Sequence, residues 1–426
     1  MSVGTATAEI TQTEPARSGA GVGRIAWRNL WRNRRRTWLT SGGIAFAVWL
    51  LIFAMSMQNG TFEIMIDNIA RLFLGHVQIQ HPAYQDDPRM EYTIHDVPAL
   101  EALVRTTPGV TMVSQRAQSF ALVSHGERSF GAQVQGVEPD REARWSSLPG
   151  RVISGRYLAG PGEAFIGSAL ARNLDLAVGD EIVFLGTASE GGVAAAVADV
   201  VGIFDSGQVE LDRSLAQIPI DDFRAGWGLA SDEAHALVIL AESVAESVVV
   251  AKTLAAELGS DLRVLDWRAL MPEAVQTIDL KFAGAVLIFA LVATIVTFSV
   301  VNTFMMTVFE RTPEFGMLMA IGMRPGRIMG QLALEALCLG ALGVALGVAI
   351  SVVVLVPLGR YGLPLPADAA ELLKAYQLPD HMYPRFSVGA AAAAGVIMMV
   401  GTQVAALIPA LRIRKLRPVE ALRADA

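Results

Sequence analysis

The chain has a single cysteine, Cys338, in 426 residues, so it can form no internal disulfide framework. Any folded part must therefore be held by its own core. Catalytic signatures are missing as well. The six histidines, His76, His81, His95, His125, His235 and His381, are scattered and make no HExxH or Cys/His cluster, so the spacing that builds a zinc site is absent. There is no GxSxG nucleophile elbow. No lysine follows a glycine anywhere, which removes the P-loop that cradles nucleotide phosphates. Charge is scarce too. Only 18% of residues are charged and the mean hydropathy is +0.43, whereas a soluble chain carries about 25% charge.

What fills the space is apolar and clustered. Four long runs stand out: Trp38–Met57, Phe282–Phe309, Leu332–Val356 and Phe386–Leu411. Each meets the roughly 20 apolar residues needed to cross ~30 Å of hydrocarbon. The first, starting late and longer than a signal-peptide core, reads as an uncleaved signal anchor. The runs divide the chain into a disordered tail (1–22), a cytoplasmic interfacial helix (23–37), spans at 38–58, 282–309, 332–357 and 386–411, and the segments between them. These are an outer domain (59–281), a cytoplasmic loop (310–331), a short outer loop (358–385) and a basic tail (412–426).

Arginine sets the orientation. Arg24, Arg28, Arg32, Arg34, Arg35 and Arg36 precede the first run, Arg311, Arg324 and Arg327 lie in the loop 310–331, and Arg412, Arg414, Lys415, Arg417 and Arg423 follow the last. All three clusters belong on the cytoplasmic side, which puts residues 59–281 outside. Residues 59–280 hold 31 acids against 15 bases. The net charge of −7 is therefore an average of two unlike halves, and the acidic one argues against nucleic-acid binding. Trp27 and Trp31, four apart among Arg34, Arg35 and Arg36, fit a helix anchored at the headgroup level.

In the outer segment, "GHVQIQHPAY" alternates as a strand. "DVPALEALVRTTPGV" reads as an amphipathic helix stopped by Pro108-Gly109, with a strand at Val113–Val123. Ser243–Trp267 repeats helix, stop and strand. Residues 130–225 between them are strand-rich. A split α/β subdomain with a mainly β insert is expected.

Among the spans, the third carries Gly340, Gly343, Gly347 and Ser351 on one small face, suited to close helix packing within the chain or between subunits. It also holds Glu335. Its shallow depth favours an ion pair with Arg327 or another cytoplasmic base over a proton-relay role. The loop "ERTPEFGMLMAIGMRPGRIMGQ" (Glu310–Gln331) is too short for a domain. Pro313 suits a helix start, Glu310 and Glu314 suit its positive end, and Gly322 suits its stop. Phe315, Leu318 and Met319 form one apolar stripe. A short helix with an apolar face toward the cytosol is expected, and such a face needs a partner.

That loop resembles the ERTREIGILRALGA-type segment of FtsX-like ABC transporter permeases, the MacB-like or type VII group. The tail "LIPALRIRKLRPVEALR" (Leu407–Arg423) resembles their closing pattern, through Pro409, Ala410, Arg412, Leu416, Pro418, Glu420, Ala421, Leu422 and Arg423. The outer blocks "QVQGVEPDREARWSSLPGRVISGRYL" and "GEAFIGSALARNLDLAVGDEIVFLG" resemble those of the lipoprotein-releasing permeases LolC/LolE. The resemblance implies four transmembrane helices and a large α+β extracytoplasmic domain of the MacB-like periplasmic core type. The split α/β part would be Porter-like and the β insert Sabre-like. It also implies ATPase coupling through Glu310, Arg311, Glu314, Phe315, Gly316, Leu318, Met319 and Gly322.

No catalytic residue, metal or cofactor is expected in this chain. ATP and Mg would be bound by a separate ABC ATPase pair. The further partners implied are a second permease copy or paralogue, membrane lipid and a lipoprotein or periplasmic carrier. The expected role is ATP-driven movement or extraction of a lipid-anchored or periplasmic substrate across or from the inner membrane, both termini being cytoplasmic. The alternative is an FtsX-like transducer that activates a cell-wall hydrolase. A membrane-anchored outer enzyme would leave the helix at 310–323 without a purpose.

Overall fold

In hydrocarbon a backbone must satisfy its own hydrogen bonds, and the helix does so within one segment. A computed structural model describes residue 28, residues 31–364 and residues 381–414. In it the four apolar runs lie in four long helices, α1 (Arg34–Ile69), α9 (Pro272–Glu310), α11 (Pro325–Tyr361) and α12 (Val388–Ile413). Each is long and apolar enough to cross a membrane. The chain divides into two compact units, one formed by residues 1–59, 282–363 and 383–426 and the other by residues 60–281 and 364–382. Residues 1–27, 29–30, 365–380 and 415–426 lie outside the described residues. The expectations for Trp27, the disordered tail, much of the short outer loop and the end of the basic tail fall there.

The helices of the first unit share a core of Ile44, Val48, Leu51 and Ile52 from α1, Val300 and Phe304 from α9, Ala336 and Leu355 from α11, and Ala394, Met398 and Ala405 from α12. The interfacial helix expected over 23–37 falls largely outside the described residues, and the described Arg28 is helical. Trp31–Asn33 is a single 3-10 turn, and Arg34, Arg35 and Arg36 form the first turn of α1 itself. Unbroken helical hydrogen bonding from Arg34 into the apolar run leaves no joint at residue 38. Trp31 packs against the edge of the core and edge-on to Trp38, with centroids 6.3 Å apart.

The second unit is a mixed α/β body with ten strands in one hydrogen-bonded sheet. They are β1 (Val77–Gln80), β2 (Val110–His125), β3 (Arg128–Val137), β4 (Val152–Gly155), β5 (Glu163–Gly167), β6 (Glu181–Thr187), β7 (Val193–Phe204), β8 (Leu215–Pro219), β9 (Ala236–Ala241) and β10 (Arg263–Asp266). The order is β10-β1-β9-β2-β3-β8-β5-β7-β4, and β6 joins β7 back to β2. Strands β2, β3, β8, β5, β7 and β6 therefore close into a ring, which removes their open edges.

The short helices fill the gaps. These are α2 (Val97–Arg105), α3 (Pro139–Trp145), α4 (Ser168–Leu174), α5 (Val209–Ser214), α6 (Ile220–Trp227), α7 (Val244–Leu258) and α8 (Trp267–Leu270). Ser243 caps α7 by accepting from the Glu246 N–H, as a serine at that position should. Helices α2 and α7 cover β1, β9 and the start of β2 through Val97, Val104, Val250 and Leu254. The ring has its own core around Val123, Phe184, Phe223 and Trp227. The expected α/β part and β insert are thus both present, but they are not separate sheets. Strand β2 pairs with β9 over Val110–Arg116 and with β3 over Arg116–His125, so one 16-residue strand belongs to both.

Past Ile69, α1 runs into a wider turn, Ala70–Leu74. A helix leaves its last four carbonyls without helical partners. Here all four are met from the outer unit. Arg71 O accepts from Ser147 N at 2.9 Å, Leu72 O from Ser146 Oγ at 3.4 Å, Phe73 O from Arg116, and Leu74 O from Gln78 Nε2 at 2.7 Å. Arg116 is itself fully buried, 2.5 Å from the Glu142 carboxylate.

Candidate coupling site

The turn between α9 and α11 gathers charge beside the membrane spans. Glu310 ends α9 and, after Arg311 alone, α10 (Thr312–Ala320) begins. Pro313 lies in its first turn, where a missing N–H costs nothing. Gly322 closes it at a φ of +99°, in the left-handed region.

Arg311 ties the turn together. Its Nη1 donates to both carboxylate oxygens of Glu335 at 3.2 Å, and its Nε to Glu314 Oε2 at 3.1 Å. The guanidinium sits 5.3 Å from the centroid of the Phe315 ring, within cation–π range. The Arg311 side chain is 12% exposed and that of Glu335 is 8% exposed. Burial works against the charge of Arg311, but Glu335 and Glu314 outweigh it and raise its pKa. The base that Glu335 finds is therefore Arg311. Arg327 lies more than two helical turns before it on α11 itself, whereas Arg311 reaches it from the neighbouring turn.

Glu310 and Glu314 also reach the first helix and the 3-10 turn before it. Arg36 Nη1 lies 3.1 Å from Glu310 Oε2, and Arg32 Nη2 lies 3.4 Å from Glu314 Oε1. Arginines in the first turn of α1 oppose its macrodipole, and these acids offset them. Arg34 and Arg35 stay exposed.

The apolar side of α10 departs from expectation. Phe315 is only 2% exposed. It packs with Val308, Ile328, Leu332, Ala410 and Ile413, and Leu318 and Met319 lie against the same cluster. Gly316 is buried as well. The stripe Phe315–Leu318–Met319 is covered by the chain's own α9, α11 and α12, so it is not a free docking face. The apolar groups left open are Met317, 57% exposed, and Ile321, 78% exposed. They are four residues apart, and Glu314 on the same turn side is half exposed.

The small face of α11 packs within the chain. A Cβ on Gly343 would lie 2.7 Å from the Ile44 side chain, and one on Gly347 would lie 2.7 Å from Ala45 O and from Val48 Cβ. Both glycines let α1 approach closely. Gly340 faces α12 instead, with Met399 Sδ 3.1 Å from its would-be Cβ. Ser351 is buried and donates to Gly347 O at 2.8 Å. Among the described residues no group of three or more His, Cys, Asp or Glu is placed to hold a metal ion.

Two family models match the chain. Residues 37–258 match the MacB-like periplasmic core domain, and residues 286–418 match the FtsX-like permease C-terminal model. Similar proteins span most of the chain. The lipoprotein-releasing system transmembrane protein LolC of Neisseria meningitidis serogroup B is 23% identical over 401 residues, covering 91% of this chain and 94% of that protein. The macrolide export ATP-binding/permease protein MacB of Psychrobacter arcticus is 26% identical over 415 residues, 92% of this chain but 58% of that protein. Among solved structures, the periplasmic region of MacB from Actinobacillus actinomycetemcomitans aligns with 50% of this chain and 97% of its own, at 12% identity and a TM-score of 0.36.

Proposed function

Because the chain belongs to the FtsX-like permease family with a MacB-like periplasmic core, we propose that it is the membrane subunit of an ATP-driven complex whose separate ATPase docks on α10. Membership makes it a multi-pass permease of the type VII, LolC/MacB-like, class with a large extracytoplasmic domain. The observation that carries the finer reading is the pair Met317 and Ile321, which stand open on a short helix whose other face is packed and whose N-terminal end is pinned by ion pairs. A sequence with no GK must borrow its nucleotide chemistry.

In this reading the termini and α10 face the cytosol, where the arginines cluster. Two permease chains, identical or paralogous, bring two such helices to an ATPase pair that binds ATP and Mg. Nucleotide then biases a two-state membrane unit, and the outer domain acts on a lipid-anchored or periplasmic substrate. Lipoprotein release is supported by the LolC relative. The test is co-purification of the ATPase encoded with the chain. The double variant Met317→Glu/Ile321→Glu should lose the ATPase while remaining folded in the membrane. Undiminished recovery would overturn the assignment of α10.

A further inference from the structure

The outer unit contains a cavity of about 550 Å³, within the size range of small-ligand sites. It opens where β2 has left one partner and not yet reached the next. Pairing with β9 ends at Arg116↔Ala236, and pairing with β6 begins at Leu122↔Leu185. Gln80, Gln118 and Gln133 line it together with Tyr84, and Phe120 and Thr187 stand at its mouth. Phe120 is 74% exposed.

The lining is held in place from behind. The Gln118 N–H donates to His235 Nδ1 at 3.2 Å, and His235 Nε2 then donates to Met90 O at 3.2 Å. Strand and loop are thereby fixed to one buried imidazole. Gln133 Nε2 donates to Gln118 Oε1 at 3.0 Å. Gln80 is 2% exposed, and its Nε2 donates to Gln78 Oε1 at 2.7 Å. Its own Oε1 is buried and has no hydrogen-bond partner among the described residues. A buried acceptor left unmet is costly, and Gln80 is one of the residues that line the cavity.

The polar groups define the occupant. An anion cannot donate to Gln80, and the nearby Arg89 is already met by Asp87 at 2.6 Å and Glu91 at 3.6 Å. Carboxamides donate and accept as main-chain amides do. The cavity runs beside a stretch of β2 with no strand on that side, and an exposed aromatic ring waits at its mouth. We propose that it binds an extended, uncharged peptide segment. A main-chain N–H would meet Gln80 Oε1, and an apolar side chain would rest on Phe120. This site goes beyond the coupling role and does not depend on α10 or on an ATPase.

The test uses the full chain in lipid nanodiscs, with Cys338→Ala and with Thr187→Cys carrying an environment-sensitive dye. The probes are a pool of capped, uncharged tetrapeptides, maltotriose and inorganic phosphate. The peptides should give a saturable response that weakens about tenfold in Gln80→Leu, the scale of one lost hydrogen bond. It should weaken similarly in Phe120→Ala, whose exposed position leaves folding untouched. Met317→Glu should leave the response unchanged, so failure here and failure of the coupling reading are separate results. No saturation, wild-type affinity in both cavity variants, or saturation by maltotriose or phosphate with the peptides silent would each overturn the proposal.

Discussion

Arg311 and Glu335, separated by 24 positions in sequence, meet through two 3.2 Å hydrogen bonds, both side chains largely buried. Removing one partner of a buried pair strands the other, at roughly 3–5 kcal/mol. Arg311→Ala should therefore sharply lower thermal stability in detergent. Glu335→Gln should cost less, because Arg311 keeps Glu314 at 3.1 Å. The double variant should recover much of the loss, and a double as unstable as Arg311→Ala would contradict this.

The glycines of α11 should differ in a fixed order. Alanine at 343 or 347 drives a Cβ to 2.7 Å from α1 atoms, including the Ala45 backbone oxygen at 347. Overpacking of this kind costs about 1–3 kcal/mol. Gly340→Ala meets the end of a flexible methionine at 3.1 Å and should be milder. Thermal unfolding of the three single variants gives the ranking.

Charge placed on α10 should separate folding from docking. Phe315→Glu puts a carboxylate among Ile328, Leu332 and Ile413, where the nearby Arg311 is already shared by Glu314 and Glu335, and membrane-inserted protein should fall. Met317→Glu lies on the open side and should leave the amount of protein unchanged while ATPase recovery drops. Expression level and pull-down, measured on the same preparations, check both.

Acid should weaken the outer unit through His235. Burial pushes its pKa down to about 4 from 6.5, so the unfolded chain takes up the proton first. Stability is full above 6.5 and falls as the pH drops toward 4, by about 3 kcal/mol in all. Much of the slope between pH 6.5 and 5 lies above ordinary carboxylate titration. Unfolding midpoints of the full chain across that window should fall with pH, and His235→Gln should flatten the slope.

The sequence shows its membrane spans plainly because hydrocarbon demands long uncharged runs, and Trp38–Met57 or Phe282–Phe309 can mean little else. Strand β1 was legible from alternation, and helix α7 from its helical run and glycine-containing stop. The sharing of β2 between two substructures was not, since a strand's pattern records which faces are buried but not which strands lie beside it. The coupling turn shows the same limit. Periodicity found the stripe Phe315–Leu318–Met319 correctly as one face, but could not tell that Ala410 and Ile413, almost a hundred residues on, would cover it. The Arg311–Glu335 pair is equally silent in sequence, although a carboxylate just inside a span signals that some base must answer it. The unmet oxygen of Gln80 has no sequence signal at all, because it depends on what a folded neighbour fails to supply.

The four carbonyls from Arg71 to Leu74 are each taken by a different donor, Ser147, Ser146, Arg116 and Gln78. A residue inserted between Arg71 and Leu74 would rotate the carbonyls on its two sides by about 100° relative to one another, so the four could not all keep their donors. The number of residues between helix and first strand is thus constrained more tightly than their identity. Side chains along that junction can vary, but its length cannot drift by one.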